Sequence, residues 1–358
     1  MRRLSTRAGR LGIAVVALAL LAAAQLPASA RTERARPAGS DPFKPGSAYR
    51  GDFPDPTVWR VGRRYYAAST TVAALNLPLM TSTDLRTWTT RAASDPANPF
   101  SADALPTPPP WAQTQQTPKR RTFMSTWAPS VARVAGAYVA AYSVPRAGDG
   151  RRCLSLARSA SPTGPFVDSS KTPLGCGTGA IDPQIFLDHG KVLLLFQMAG
   201  RPGRILIRRM NSSATAFAPG SGTYELLRPA AAWEGGVVEN PAMFRYRKRL
   251  YLLYSGNNWK TSGYATGYAV CKSIVGPCTR KGRLLSSGRY VAGPGGAMPF
   301  TDTAGRLRLA FHGWTPGNVG YPTSNACTGT AQGCAQRRLH FAYLTAGRRG
   351  RLLLRSWF

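Results

Sequence analysis

A short unit recurs along this chain and restricts its fold more than any other feature. It is plainest at Ile181-Asp182-Pro183-Gln184-Ile185-Phe186-Leu187, where an acidic residue precedes a proline and an apolar run follows. A turn then leads into a second apolar run, Val192 to Phe196. Variants stand at Asp55-Pro56-Thr57-Val58, Ala128-Pro129-Ser130-Val131, Asn240-Pro241-Ala242-Met243 and Gly296-Ala297-Met298. The apolar anchors Val58, Val131, Ile185, Met243 and Met298 are 73, 54, 58 and 55 residues apart. In the first four units the second run begins seven residues after the anchor, at Tyr65, Tyr138, Val192 and Leu250; in the fifth, Leu307 is nine residues on.

Self-similarity at this period, with strand, turn and strand inside each unit, predicts an all-β five-bladed propeller. Near-continuous apolar runs suit strands buried on both faces between neighbouring blades. Proline cannot donate to a ladder, so it suits the first residue of a strand. Each unit therefore presents the residues before its proline at one end of an inner strand. Residues from different blades converge at one mouth of the central channel.

The chain has 358 residues, a length that one propeller accounts for. Residues 1–30 read as an export signal. Arg2, Arg3, Arg7 and Arg10 precede an apolar stretch from Leu11 to Ala24, and Ala28-Ser29-Ala30 offers a small-residue cleavage site. The apolar stretch is shorter than the ~20 residues a membrane span needs. Residues 31–48 read as a flexible leader, and 49–358 as the propeller. Six cysteines follow the signal, and an even number in an exported chain favours disulfides. Neighbour pairing is simplest: Cys153–Cys176, Cys271–Cys278 and Cys327–Cys334.

The net charge is +32, and 43 basic against 15 acidic residues leave +28 once the signal's four arginines are removed. Such a surface attracts polyanions. No helix-turn-helix, zinc-finger or RNP pattern accompanies the charge, so nucleic acid is not expected as a partner. Anionic cell-wall polymers suit an exported chain better, and so does a solvated arginine-rich surface with no partner. Residues 95–121, rich in Pro, Thr and Gln, lengthen the first interval and read as an inserted loop beside the site.

With so few acidic residues, their positions carry information. Asp55 and Asp182 stand directly before proline in equivalent units, and Glu239 is one residue further back in its own. Gathering three carboxylates is unfavourable, since like charges raise one another's pKa. Acid/base chemistry exploits that arrangement, with one group protonated while another is ionised. Asp-Pro pairs also simply mark turns, but three in register favour chemistry. Asp52 and Glu234 read as turn or rim residues.

In these stretches the chain resembles glycoside hydrolase family 43, five-bladed propellers acting on arabinose- and xylose-containing polysaccharides. The matching residues are Asp55-Pro56 with Tyr65-Tyr66, Leu77 to Met80 with Ser82 to Trp88, Trp127 to Ser130, Ile181 to Gln184, Glu239 to Pro241 and Gly293 to Gly296. The resemblance implies an inverting hydrolase with Asp55 as general base, Glu239 as general acid and Asp182 tuning and orienting the acid. It implies a polysaccharide or oligosaccharide substrate carrying α-L-arabinofuranosyl or β-D-xylosyl linkages, and no required cofactor. A structural calcium ion beside His312 in the channel is the one cation it admits. Gly296 departs from a common pattern with histidine there. Trp127, Phe53 and Trp259 are the candidates to contact sugar, each with a core-packing alternative. The rival functions are a non-catalytic carbohydrate- or wall-binding propeller and a related propeller hydrolase for other glycosides.

Overall fold

The protein is described by a computed structural model covering Tyr49 and residues 51–200, 202–321 and 335–355. The expected signal, the leader and the Cys327–Cys334 pair lie outside the described residues.

Five antiparallel sheets form in chain order, each a simple meander. Blade one contains β1 (Thr57–Val61), β2 (Arg64–Ala68), β3 (Leu79–Ser82) and β4 (Thr89–Thr90). A hairpin, β5 (Thr114–Gln116) and β6 (Thr122–Met124), follows. Blade two has three strands: β7 (Trp127–Val134), β8 (Ala137–Pro145) and β9 (Arg152–Ser159). Blade three contains β10 (Ala180–Asp188), β11 (Lys191–Met198), β12 (Arg204–Arg209) and β13 (Thr223–Leu227). Blade four contains β14 (Glu239–Tyr246), β15 (Arg249–Gly256), β16 (Ala265–Cys271) and β17 (Cys278–Leu285). Blade five contains β18 (Ala292–Thr301), β19 (Leu307–Trp314), β20 (Arg338–Ala346) and β21 (Leu352–Arg355).

The first strands touch in sequence around a ring, β1 to β7 to β10 to β14 to β18 and back to β1. The repeat unit is thus the inner strand of each blade with its partner. The last two strands, β20 and β21, both belong to blade five. The ring's seam is reinforced from the N-terminal side: Tyr49 bridges Leu339, and the Phe53 N–H donates to the Arg337 carbonyl at 2.8 Å.

Each inner strand begins with the same backbone device. Asp55, Ala128, Asp182, Asn240 and Gly296 occupy equivalent positions and all have positive φ, between 43° and 58°. Register breaks accompany four of them, as at Ile181/Gln184 and Glu239/Ala242. Such a bulge bends the strand and re-aims a side chain, and here it re-aims the residues before each proline.

The residue after the proline performs a second shared task. Thr57 Oγ1 accepts the Val131 N–H at 3.3 Å, and Ser130 Oγ accepts the Ile185 N–H at 3.1 Å. Gln184 accepts the Met243 N–H at 2.8 Å and donates to the Met243 carbonyl at 3.0 Å. Each clasp reaches the apolar anchor of the next blade. Two disulfides form as expected, Cys153–Cys176 and Cys271–Cys278. The insertion after blade one packs Ala104, Leu105, Ala112 and Met124 into the core shared with blade two.

Candidate active site

Three carboxylates from three blades line one cavity of about 300 Å³: Asp55, Asp182 and Glu239. All lie at the start of inner strands, where the shared bulge turns the chain toward the axis. Asp55 accepts from Thr70 Oγ1 at 2.7 Å and from Arg337 Nη1 at 3.3 Å. Asp182 accepts the backbone N–H of Asn240 at 2.8 Å. Glu239 accepts from Tyr264 Oη at 2.7 Å, and Asn240 Nδ2 donates to the same tyrosine oxygen at 3.2 Å.

The electrostatics divide these groups. Burial works to raise the Asp55 pKa, but the Arg337 guanidinium and the Thr70 hydroxyl outweigh it and hold the carboxyl below its ordinary value. Glu239 goes the other way. Burial pushes it up to about 7, and the Asp55 charge adds to this against the Tyr264 hydrogen bond. Asp182 is also raised, by burial first and then by the charges of Glu239 and Asp55. At neutral pH the site therefore holds one ionised carboxylate beside a pair that retains a proton, the arrangement acid/base chemistry requires.

The sequence model of Glycosyl hydrolases family 43 matches residues 48–337. The chain belongs to glycosyl hydrolases family 43. One curated relative, named "Probable arabinan endo-1,5-alpha-L-arabinosidase A" of Aspergillus clavatus, is 31% identical over 54% of this chain and 66% of its own length, just under two thirds. Among solved structures, a thermostable family-43 glycoside hydrolase is 22% identical, covering 86% of this chain and 94% of that one with a TM-score of 0.68. An endo-1,4-beta-xylanase from Bacteroides thetaiotaomicron VPI-5482 is 22% identical over 88% and 97%, with a TM-score of 0.66. Both likenesses show the fold.

Around this family-43 centre the aromatic candidates separate. Trp127 lines the cavity with 39% of its surface exposed. The Arg152 guanidinium lies 3.2 Å from its ring centroid, so a sugar has only the opposite face of the indole to stack on. Trp259 also lines the cavity, stacked on Trp314 and beneath Arg337 at 4.7 Å. Phe53 does not reach the cavity. It is 2% exposed, packed in a core cluster edge-on to Tyr49. The expected sugar contact is corrected to a core role, because an apolar ring between Asp52 and Pro54 is drawn to the blade-one seam.

Two carboxylates read as turn or rim residues are also corrected. Glu234 is fully buried, where it accepts from Ala230 and Ala231 N–H, Tyr254 Oη and Arg280 Nε. It is an internal ion pair of blade four. Asp52 lines the cavity, accepting from Tyr321 Oη at 2.8 Å and from the Arg337 N–H at 2.7 Å. Tyr321 in turn accepts from Arg337 Nε at 3.1 Å. Asp52 and Tyr321 thus clamp the guanidinium whose other arm reaches Asp55.

His312 sits in the fully buried wall beneath Asp55. Its Nδ1 accepts the Asp55 N–H at 3.0 Å, which leaves the proton of the neutral ring on Nε2. Burial, then Arg337, lowers its pKa to about 3, so the ring is neutral. The buried Nε2 has no hydrogen-bond partner among the described residues. An N–H at that position donates and offers no lone pair to a cation, and calcium favours about six to eight oxygen ligands. Among the described residues no cluster of three or more His, Cys, Asp or Glu side chains has metal-binding geometry. The His312 ring, a donor at Nε2, does not fit a direct calcium ligand.

The glycines of blade five explain the departure at Gly296. A Cβ on Gly295 would fall 2.0 Å from the Tyr264 ring, and one on Gly296 would fall 2.7 Å from His312 Nδ1. Side chains are excluded there by the stacked rings of Tyr264 and His312, which bond Glu239 and the Asp55 N–H.

Proposed function

We propose that this family-43 protein is a secreted hydrolase that cleaves α-L-arabinofuranosyl linkages of arabinan-type polysaccharides by single displacement with inversion. The observation that carries this reading is the convergence of Asp55, Asp182 and Glu239 in one cavity, with the first held ionised and the last protonated near neutrality. Asp55 takes a proton from water as the water oxygen bonds to the anomeric carbon. Glu239 delivers its proton to the glycosidic oxygen as the carbon–oxygen bond breaks. Solvent then returns one proton to Glu239 and removes one from Asp55. Asp182 acts through the Asn240 N–H, fixing the backbone beside the acid.

The relative's name supports arabinan, while a neighbouring structure named as a xylanase keeps β-D-xylosyl linkages in the comparison. Two disulfides support an oxidising compartment. Proton NMR of the first sugar released from debranched arabinan, arabinoxylan and the matching nitrophenyl glycosides tests the proposal. Arabinose or arabino-oligosaccharide released with inverted anomeric configuration is expected. Retention of configuration, release of xylose alone, or glycan binding without release overturns it. Mass spectrometry of the exported protein is expected to give a start at Arg31.

A further inference from the structure

Because Asp55, Ala128, Asp182, Asn240 and Gly296 mark the start of the inner strands at the mouth, those strands all run away from it. The turns joining each inner strand to its partner therefore lie on the opposite face of the propeller. So does the β20–β21 turn, since β20 runs parallel to β18 within its meander. This far face is basic in every blade. Arg63 occupies the β1–β2 turn, Arg133 the end of β7, Lys191 the start of β11, Lys248 the β14–β15 turn and Arg349 the β20–β21 turn, and all five are exposed.

The carboxylates on that side are already committed. Asp188 is held by both arms of Arg245 at 2.8 Å, and Asp302 by Arg306 and Arg308. Asp84 accepts the N–H groups of Arg86 and Thr87 within its own turn. Among the described residues none of the five cations named forms a salt bridge. Other cations do have acids, as with Arg121–Asp103, Arg228–Glu225 and Arg280–Glu234. A ring of like charges around one face adds repulsion and nothing to folding. It gains when a polyanion spans it.

We propose that the face opposite the mouth is a docking surface for a linear acidic polysaccharide, a polyuronate carrying one carboxylate per sugar. Arginine forks match carboxylates bidentately. Turns from all five blades share this face, so one chain can cross several of them. Of the exposed aromatic rings among the described residues, Trp127 and Tyr321 line the mouth and Tyr224 alone stands near the β12–β13 turn on this side, so the face offers one isolated ring rather than the series of stacking platforms that single-stranded nucleic acid favours. Docking there leaves the mouth open to a neutral chain in the same matrix. That consequence rests on the proposed hydrolase activity; the binding itself does not.

The test uses the full exported protein in affinity electrophoresis through gels holding polygalacturonate, neutral debranched arabinan, polyphosphate or single-stranded DNA. Retardation by polygalacturonate that falls steeply with added salt is expected, whereas any retardation by arabinan at the mouth should not depend on salt. The combined Arg63→Ser, Arg133→Ser, Lys191→Ser, Lys248→Ser and Arg349→Ser variant is expected to lose at least about tenfold in polygalacturonate affinity. Its Tm and its hydrolysis of a nitrophenyl arabinoside should match the parent. Should the five changes disturb folding, single-blade pairs are expected to lose affinity in graded steps. Equal retention of parent and variant overturns the proposal. So does tighter binding to DNA or polyphosphate than to polygalacturonate at equal charge concentration. Failure of hydrolysis with polyuronate binding intact would overturn the proposed activity alone.

Discussion

Glu239 carries its proton to about pH 7 because burial penalises the charged form. The acid limb and the base limb of activity then follow different residues. Hydrolysis should fall as pH rises through about 7, where Glu239 ionises, and persist below the usual carboxylate range, where Asp55 stays charged. A pH profile of kcat/KM checks both limbs. Asp55→Asn and Glu239→Gln should each lower kcat by about 100- to 10,000-fold with the fold intact by circular dichroism. The same shift links to stability. A folded pKa above the unfolded value of 4.5 contributes stability that is present below 4.5 and lost as pH rises through 7. Thermal melts at pH 5 and pH 8 should therefore show the parent losing Tm relative to Glu239→Gln at the higher pH. Tyr321→Phe removes the oxygen joining Asp52 to Arg337 and should move the acidic limb upward, as the guanidinium loosens from Asp55. Asp52 was hard to recognise in the sequence for a plain reason: its partners Tyr321 and Arg337 lie 269 and 285 residues away and outside any repeat unit.

The elements were far more legible than the individual contacts. Inner strands and their partners follow from apolar runs seven residues apart, and the prolines mark their starts. The positive φ at Asp55, Ala128, Asp182 and Asn240 was not visible, because only Gly296 among the five has a residue type that announces it. The inter-blade clasps were hidden likewise, since Thr57, Ser130 and Gln184 differ chemically while performing one task. Gln184 makes two of these bonds in a buried site. Gln184→Ala leaves the Met243 N–H and carbonyl unpaired and should cost about 1–3 kcal/mol, read from urea unfolding. Trp127 and Phe53 show the limit of reading aromatics in sequence: both stand beside site residues, yet one is exposed at the cavity and the other is sealed into the seam.

At the scale of the whole ring, the seam is where the segment before blade one meets blade five. Phe53, Tyr49, Phe300 and Phe341 share one core cluster across it. Phe53→Ala should cost about 3–5 kcal/mol and be measured as a fall in denaturant midpoint, with the mouth's small-substrate kinetics at low temperature little changed. Around the rest of the ring the kinked entry to each blade has a different consequence. The kink belongs to the main chain, so it survives whatever side chain it carries: acid in two blades, amide, methyl or hydrogen in the others. Four of the five positions admit a side chain, and of these only blade two's, filled by Ala128, brings no polar group. An Asp or Asn installed there would enter the narrow channel lined by Asp55, Asp182 and Asn240 without re-routing a strand, which makes Ala128 the natural place to rewrite the charge behind these carboxylates.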